Sequence, residues 1–315
     1  MSRASRSITL EREVFLLTER RMGAALGGGG ARAFAHLGVL LALDEAGLPV
    51  EAVAGTSMGA AVGAAKALGV DLRLLARLLA ALDLNALLQV SDNALREAQR
   101  LLSRSMLEVV RGAAWRATGT RPPELSRLLE FYGLLTANRS FTDVRLPLAV
   151  VAMDIETGQR VVLKEGSIAH ALAATTAVPG VFPPVPWNER FLIDGGIVDK
   201  VPVDAVIDLG ATAVVAVDTG APLTRRVDTT LDAMLQSQRA TSKHLTQLQL
   251  DLARRRLDGR LVVLRPDVGW IRMFAFEYTE EAIQAGRASV SAHLDDLREL
   301  LGTRADPSVP PTVPN

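Results

Sequence analysis

The sequence predicts an α/β protein: a mainly parallel central sheet flanked by helices, carrying a helical insertion. Three observations predict it. Near the start, two apolar stretches each run through a small-residue turn into a helix, and such units in tandem call for parallel strands joined by helical crossovers. From Asp71 to about Leu135 leucines recur at three- and four-residue spacing, the helical period. Farther on, apolar runs close at Asp154, Asp194 and Asp218, as strands do where they give way to turns.

In chain order, MGAALGGGGARAFAHLGVLLALDEAG reads as a short strand, a glycine turn and a helix from about Ala31 to Ala46, with Gly47 as its stop. VEAVAGTS is the second strand and MGAAVGAAKALG the second helix. The insertion follows over residues 71–135; its later part carries Arg96, Arg100, Arg104 and Arg111. LPLAVVAMDIETGQRVVLKEG is a strand, a turn and a strand. RFLIDGGIVDKVPV and ATAVVAVDTG supply two more strand ends. Residues 227–260 are helical and polar, and TEEAIQAGRASVSAHLDDLRELLG is a last helix. No internal repeat is visible. The expectation is one α/β domain over residues 22–302, preceded by an N-terminal extension (1–21) and followed by a proline-rich, disordered tail (303–315).

Composition narrows the function classes. With 49% hydrophobic residues in a chain of 315, a large core is easily built. Thirty-five basic residues balance thirty-five acidic ones, so no global charge draws the chain to nucleic acid. Cysteine is absent, which excludes disulfides, thiolate metal sites and cysteine catalysis and fits a reducing compartment. MSRASRSITLEREVFLLTERR alternates apolar and charged residues and lacks the apolar core and cleavage site of a signal peptide. No stretch offers the roughly 20 apolar residues of a membrane span. The expected location is cytoplasmic, with peripheral membrane contact as an option.

Gly27 to Gly30 stand between a strand and a helix, where backbone N–H groups can approach a ligand at the positive end of a helix dipole. Three ligands could use such a turn. A nucleoside triphosphate would need Gly-Lys-Ser/Thr, and Ala31-Arg32-Ala33 follows instead. A dinucleotide fits Gly28-x-Gly30-x-x-Ala33 literally but wants an acid at the end of the next strand, where Gly55-Thr56-Ser57 stands. An oxyanion is the third, because Ser57 lies one strand away. Between Gly55 and Gly59, at the junction of strand and helix, Ser57 has the setting of a nucleophile elbow, and Ala60, Ala61, Gly63, Ala64 and Ala65 make the helix thin enough to lie close to the sheet. The competing reading of Ser57 is a helix N-cap.

A serine nucleophile needs a base, and the four histidines are poorly placed for it. His36 is on the helix after the glycine turn, His170 is in a helix-like stretch, and His244 and His293 are on polar late helices and read as solvated. The strand ends carry aspartates instead. Asp194 differs from Asp154 and Asp218 in being followed by Gly195-Gly196, which leaves its carboxylate room beside another backbone; the other two can hold turns.

GGGGARA, GTSMG and DGG, in this order and at these intervals, resemble the three motif blocks of the patatin-like phospholipase family. MDIETGQRVVLKEG, ATTAVPGVFPPV, VPVDAVIDLGATAVVAVD and EEAIQAGRA resemble its bacterial members, so the similarity covers roughly residues 22–290. The resemblance implies a three-layer patatin-like fold with its catalytic domain over residues 22–302, and a lipid acyl hydrolase using a Ser–Asp dyad without histidine. Ser57 then matches the nucleophile, Asp194 the base, and Gly28, Gly29 and Gly30 the oxyanion glycines. Arg32, Gly55, Gly59, Gly195 and Gly196 match the supporting motif positions. The mechanism needs no metal or organic cofactor. Two positions depart from the family pattern: Ala33 stands for the usual glycine, where its methyl could narrow the approach to the oxyanion, and Ala174-Thr175 stands for Ala-Ser, keeping a hydroxyl.

The implied substrate is a fatty acyl ester of a phospholipid, lysophospholipid or neutral lipid. The stretch from Ser91 to Arg121, with Leu101, Met106, Trp115, Arg104 and Arg111, is the expected contact with a lipid surface. The alternative is a lipid- or dinucleotide-binding α/β module whose catalytic site has degraded.

Overall fold

The two apolar runs at the start form β1 (Met22–Leu26) and β2 (Ala52–Thr56), paired in parallel with Leu26 opposite Gly55. The structure is a computed structural model and describes residues 20–82, 84, 123–179, 181–223, 227–228 and 230–302. Beyond the first pair it contains β3 (Leu148–Asp154), β4 (Arg160–Leu163), β5 (Val185–Trp187), β6 (Arg190–Asp194), β7 (Ala213–Val217) and β8 (Leu261–Leu264). These make one sheet in the order β5-β6-β3-β2-β1-β7-β8, with β4 also on β3. The pairs β3–β2, β2–β1, β1–β7 and β7–β8 are parallel, while β4, β5 and β6 form the antiparallel end. The chain is thus α/β with a mostly parallel central sheet flanked by helices.

Alternation along the strands explains the layers. Met22, Ala24 and Leu26 of β1 share one core with Val53, Leu148, Val150, Val215 and Val217. The intervening Ala25 joins Ala54, Ala149, Val151 and Ala216 in a second core. Strand side chains point alternately to the two faces, so residues buried on both sides need helices on both sides. The first face carries α1 (Ala35–Glu45), α2 (Met58–Ala67), α3 (Leu72–Ala81), α4 (Pro123–Thr136), α5 (Ile168–Thr175), α8 (Thr279–Ala292) and α9 (Leu294–Leu301). The second carries α6 (Val203–Ile207) and the 27-residue α7 (Thr230–Arg256), which buries Leu250 and Ala253.

The helix expected from Ala31 begins as a 3-10 turn, Gly30–Phe34, and becomes α-helical at Ala35. Gly30 has φ +59°, and the Ala31 N–H donates to the Met273 carbonyl, so the chain enters the helix from a ligated turn. The insertion begins and ends as helices: Asp71 caps α3 by accepting from the N–H groups of Arg73 and Leu74, and α4 closes it. The Ser91–Arg121 stretch lies outside the described residues, as do residues 1–19 and 303–315. Two strands are absent from the sequence reading. β5 contains Pro186, tolerated because β5 is at the sheet edge, and β8 is a four-residue apolar run directly after a long helix. Among the described residues no helix is long and apolar enough to cross a membrane.

β4 covers Val150–Met153 on one edge of β3. β2 and β6 overlap that span in register, so both must use the other edge, at its two ends. Thr56 stands opposite Val151 and Asp194 opposite Ala152. Running in opposite directions, β2 and β6 meet head to head, and their last residues become neighbours.

Candidate active site

Ser57 follows Thr56 at the end of β2 and has φ 55°, ψ −134°, a conformation an L-residue adopts only when the surroundings impose it. The surroundings do. α2 lies so close to β1 that a Cβ on Gly59 would overlap the Leu26 carbonyl oxygen, and one on Gly55 would overlap the backbone of Ala60. The Ser57 N–H donates to Thr175 Oγ1 at 2.8 Å, and the Thr175 hydroxyl in turn donates to the Val151 carbonyl. The hydroxyl kept at Thr175 therefore ties the elbow to α5 and β3. Ser57 occupies the N-cap position of α2, yet its side chain makes no capping bond. Its hydroxyl lies instead beside the Asp194 carboxylate and helps to lower that group's pKa.

Asp194 ends β6 and is buried. Its Oδ1 accepts the Gly196 N–H at 2.8 Å, which the Gly195-Gly196 turn makes possible. A Cβ on Gly195 would overlap the Val151 carbonyl, so the turn presses directly on β3. Burial raises the Asp194 pKa to about 6; the neighbouring Ser57 hydroxyl, the Gly196 N–H and the charge of Lys200 oppose that rise.

The glycine turn faces the same place, and here one expectation changes. The Gly27 N–H donates to the Val217 carbonyl and the Gly28 N–H to the Lys200 carbonyl at 3.0 Å. Gly28 lies against Ser57, with 3.3 Å between its would-be Cβ and the serine Cβ, but its N–H is already engaged. Among the described residues no protein group accepts from the N–H of Gly29 or Gly30, and both line the cavity with Ser57. Arg32 is buried beneath the turn: Nε donates to the Thr219 carbonyl at 3.0 Å and Nη1 to the Ile271 carbonyl at 2.8 Å. Burial brings its pKa down to about 10. Ala33 is buried in the 3-10 turn and is not part of the cavity wall, so its methyl stays away from the serine.

His36 is fully buried, burial holds its pKa at about 4, and its Nε2–H donates to the Gly27 carbonyl at 2.7 Å. It is a neutral clamp on the glycine turn. His170 packs on Trp187 and His293 bonds the Ser289 carbonyl. His244, expected to be solvated, is exposed and also lines the outer part of the cavity. Asp154 accepts the Glu156 N–H and holds the β3–β4 turn. Asp218 accepts the Gly220 N–H at 2.9 Å, faces Arg265 Nε at 3.7 Å and lines the cavity. Glu51, the only acid on the second strand segment, pairs with Arg21 at the opposite end from the glycine turn.

Ser57, Asp194 and the glycine turn share one cavity of about 910 Å³. Apolar side chains form much of its wall, among them Leu128, Tyr132, Phe182, Met273, Phe274 and Phe276. Tyr132, Lys200 and Arg239 are lining residues absent from the sequence reading. Lys200 had a signal, a lone cation in the apolar run after DGG; Arg239 had none, being one of many polar residues on α7.

Known proteins resemble this chain in sequence and in fold. An NTE family protein of Mycobacterium tuberculosis is 28% identical over 308 residues, covering 90% of this chain and 48% of its own length. The mouse patatin-like phospholipase domain-containing protein 6 is 31% identical over 220 residues, covering 69% of this chain and 15% of its own length. The chain therefore spans about half the length, or less, of these relatives. Among solved structures, VipD from Legionella pneumophila has a TM-score of 0.44 at 16% identity, covering 91% of this chain and 67% of that one. The type III effector ExoU has a TM-score of 0.42 at 18% identity, covering 90% and 54%. The family model for patatin-like phospholipases matches residues 24–207, a span that contains the glycine turn, Ser57 and Asp194. The chain belongs to the patatin-like phospholipase family.

Proposed function

We propose that the protein hydrolyses fatty acyl esters of lipids through Ser57 and Asp194. The observation that carries this reading is the pairing of Ser57, on a strained elbow, with the buried Asp194 carboxylate beside it in the wall of a large, mostly apolar cavity. A volume of about 910 Å³ suits an extended apolar substrate. Family membership supports the same reaction class.

Ser57 Oγ attacks the ester carbonyl carbon while its proton passes to Asp194. An aspartate at its ordinary pKa of about 3.9 is a weak base; one raised toward 6 is a better one while staying ionised at neutral pH. The free N–H groups of Gly29 and Gly30 accept the role of oxyanion donors, each contributing about 3 kcal/mol to the tetrahedral state. Asp194 returns the proton to the departing alcohol oxygen as the C–O bond breaks, leaving acyl-Ser57. Water, deprotonated by Asp194, then attacks the acyl carbon; the bond from that carbon to Ser57 Oγ breaks, Asp194 returns the proton to Oγ, and the fatty acid leaves. The neutral His36 has no part in these transfers.

The test is hydrolysis of short- and long-chain acyl esters by wild type and Ser57→Ala. The expected result is a loss of about a thousand-fold or more in kcat with the folded state retained. Full activity in the variant would contradict the assignment.

A further inference from the structure

Gly195 to Lys200 lead out of the Asp194 turn, and their carbonyls are taken up by groups from all over the site. The Gly195 carbonyl accepts from the N–H groups of Val198 and Asp199, at 3.0 and 2.9 Å. From α7, Ser242 Oγ donates to the Gly196 carbonyl and Gln249 Nε2 to the Val198 carbonyl, both at 2.9 Å. The Asp199 carbonyl accepts from Thr56 Oγ1 at 2.8 Å, and the Lys200 carbonyl accepts the Gly28 N–H at 3.0 Å. Thr56 directly precedes Ser57, and Gly28 belongs to the glycine turn. One short segment thus touches the turn of Asp194, the strand end of Ser57 and the glycine turn, three parts that the sequence keeps far apart.

Asp199 is the centre of this segment. Its N–H is tied to Gly195, its carbonyl to Thr56, and its carboxylate to Arg160 of β4, with Nη1 2.7 Å from Oδ2. The Asp199 side chain is 3% exposed, against 31% for that of Arg160. Burial raises the Asp199 pKa, and Arg160 opposes the rise. A buried ion pair adds little net stability, because the cost of desolvating two charges offsets most of their attraction. What this pair supplies is direction. A charge-assisted hydrogen bond is short and oriented, so it fixes where Asp199 sits between β4 and β2. Neither Asp199 nor Arg160 lines the cavity, so a substrate bound there meets neither. Any effect they have on the reaction passes through the groups they hold.

We propose that the Arg160–Asp199 ion pair aligns the catalytic parts: by anchoring Asp199 it holds the Thr56–Ser57 strand end, the Asp194 turn and the glycine turn in one fixed arrangement. Arg160 and Asp199 are positioning residues, acting through Thr56, Gly195 and the neighbouring Lys200 carbonyl. The proposal rests on the ester-hydrolase reading and adds to it what keeps nucleophile, base and oxyanion donors in line. Misplacing such groups by about 1 Å costs up to about a hundredfold in rate. The apolar wall that binds the acyl chain is built from other elements, so binding is spared: Leu128 and Tyr132 come from α4, and Phe274 and Phe276 follow β8.

Two measurements on the full chain test it. The first is steady-state hydrolysis of a short-chain acyl ester at about pH 8, where Asp194 is ionised, by Arg160→Met, Arg160→Lys, Asp199→Asn and the double variant Arg160→Met/Asp199→Asn. In Arg160→Met and Asp199→Asn, kcat should fall by about tenfold or more, with KM within about twofold of wild type and the acid limb of the pH profile unmoved. Arg160→Lys should keep most of the activity. The double variant should be no slower than the slower single, because the two residues act as one pair. A purely structural pair would leave kcat unchanged in protein that circular dichroism shows to be folded. A pair acting by its charge on Asp194 would move the acid limb. Either result would overturn the proposal. The second measurement is amide hydrogen exchange of wild type and Arg160→Met, followed in peptides over residues 26–31 and 54–60. Exchange there should quicken by about tenfold or more in the variant, while peptides from α8 and α9 keep their wild-type rates. Equal exchange in the two proteins would overturn the anchoring. If wild type cleaves no ester, the hydrolase reading fails, and the exchange still decides the anchoring because it needs no turnover. Arg160 is partly exposed on β4, so its variants fold even if loss of the Asp199 carboxylate disturbs the segment.

Discussion

At Asp194, burial and hydrogen bonding pull in opposite directions, and burial wins. That balance has a kinetic and a thermodynamic consequence. The base must be ionised to accept the serine proton, so kcat/KM should fall as pH drops through about 6, with a single acid limb. A pH–rate profile flat to pH 4.5 would contradict this. For stability the sign is opposite to that of an ordinary paired carboxylate. The folded-state pKa is raised, so the native protein binds the proton more tightly than the unfolded chain, and stability is lost as pH rises from 3.8 to about 6. That rise corresponds to about 3 kcal/mol. Wild type should therefore lose up to about that amount relative to Asp194→Asn between acid and neutral pH, read by denaturant titration of both proteins. Thr175 gives a second test at this scale. Its hydroxyl accepts the Ser57 N–H and donates to Val151. Thr175→Val removes both bonds inside the core and should cost about 1–3 kcal/mol together with most of the activity, while Thr175→Ser should keep both. The sequence shows a hydroxyl at this position but not its target. It likewise shows four glycines without showing that the Gly28 N–H is already bonded to the Lys200 carbonyl. Which backbone groups remain free depends on loops remote in sequence, and no local pattern encodes that.

Elements whose meaning is local are readable from residues alone. The strand–turn–helix units around Gly27–Gly30 and Ser57, the start of a helix at Asp71 and the hairpin of β3 and β4 follow from periodicity and turn chemistry. What periodicity does not reveal is the direction of β6. Asp194 comes to Ser57 because β6 runs antiparallel along the edge of β3 that β2 vacates, a fact of register rather than composition. β5 and β8 escape notice for related reasons: each is three or four residues long and is specified by its neighbour in the sheet. Helix packing is also specified at a distance. Gly38 of α1 and Gly286 of α8 meet backbone to backbone, such that a Cβ on either would overlap a carbonyl of the other helix. Gly286→Ala should force α1 and α8 apart and lower stability by about 1–3 kcal/mol, seen as a lower denaturant midpoint at unchanged slope. An unaltered midpoint would mean the two helices slide freely.

The whole molecule gathers its chemistry on one rim. Gly28 follows β1, Ser57 follows β2, Asp218 follows β7 and Arg265 follows β8, and these parallel strands all end on the same side of the sheet. Ligands of open parallel sheets bind outside the carboxyl ends of the strands, where loops and helix N-termini converge. The antiparallel β6 reaches that rim from the other direction and adds the carboxylate. The apolar cores on both faces hold the rim rigid, which allows Ser57 to keep φ 55°. On the proposed reading, this geometry makes Ser57 the nucleophile and Asp194 the group that activates it. The most direct measurement is covalent labelling with a fluorophosphonate, with the adduct located by peptide mass spectrometry in wild type, Asp194→Asn and His36→Ala. One adduct is expected, on Ser57, formed by wild type and by any folded His36→Ala protein and lost or slowed by about a hundred-fold or more in Asp194→Asn. Labelling at another residue, or at Ser57 with equal speed in Asp194→Asn, would contradict it.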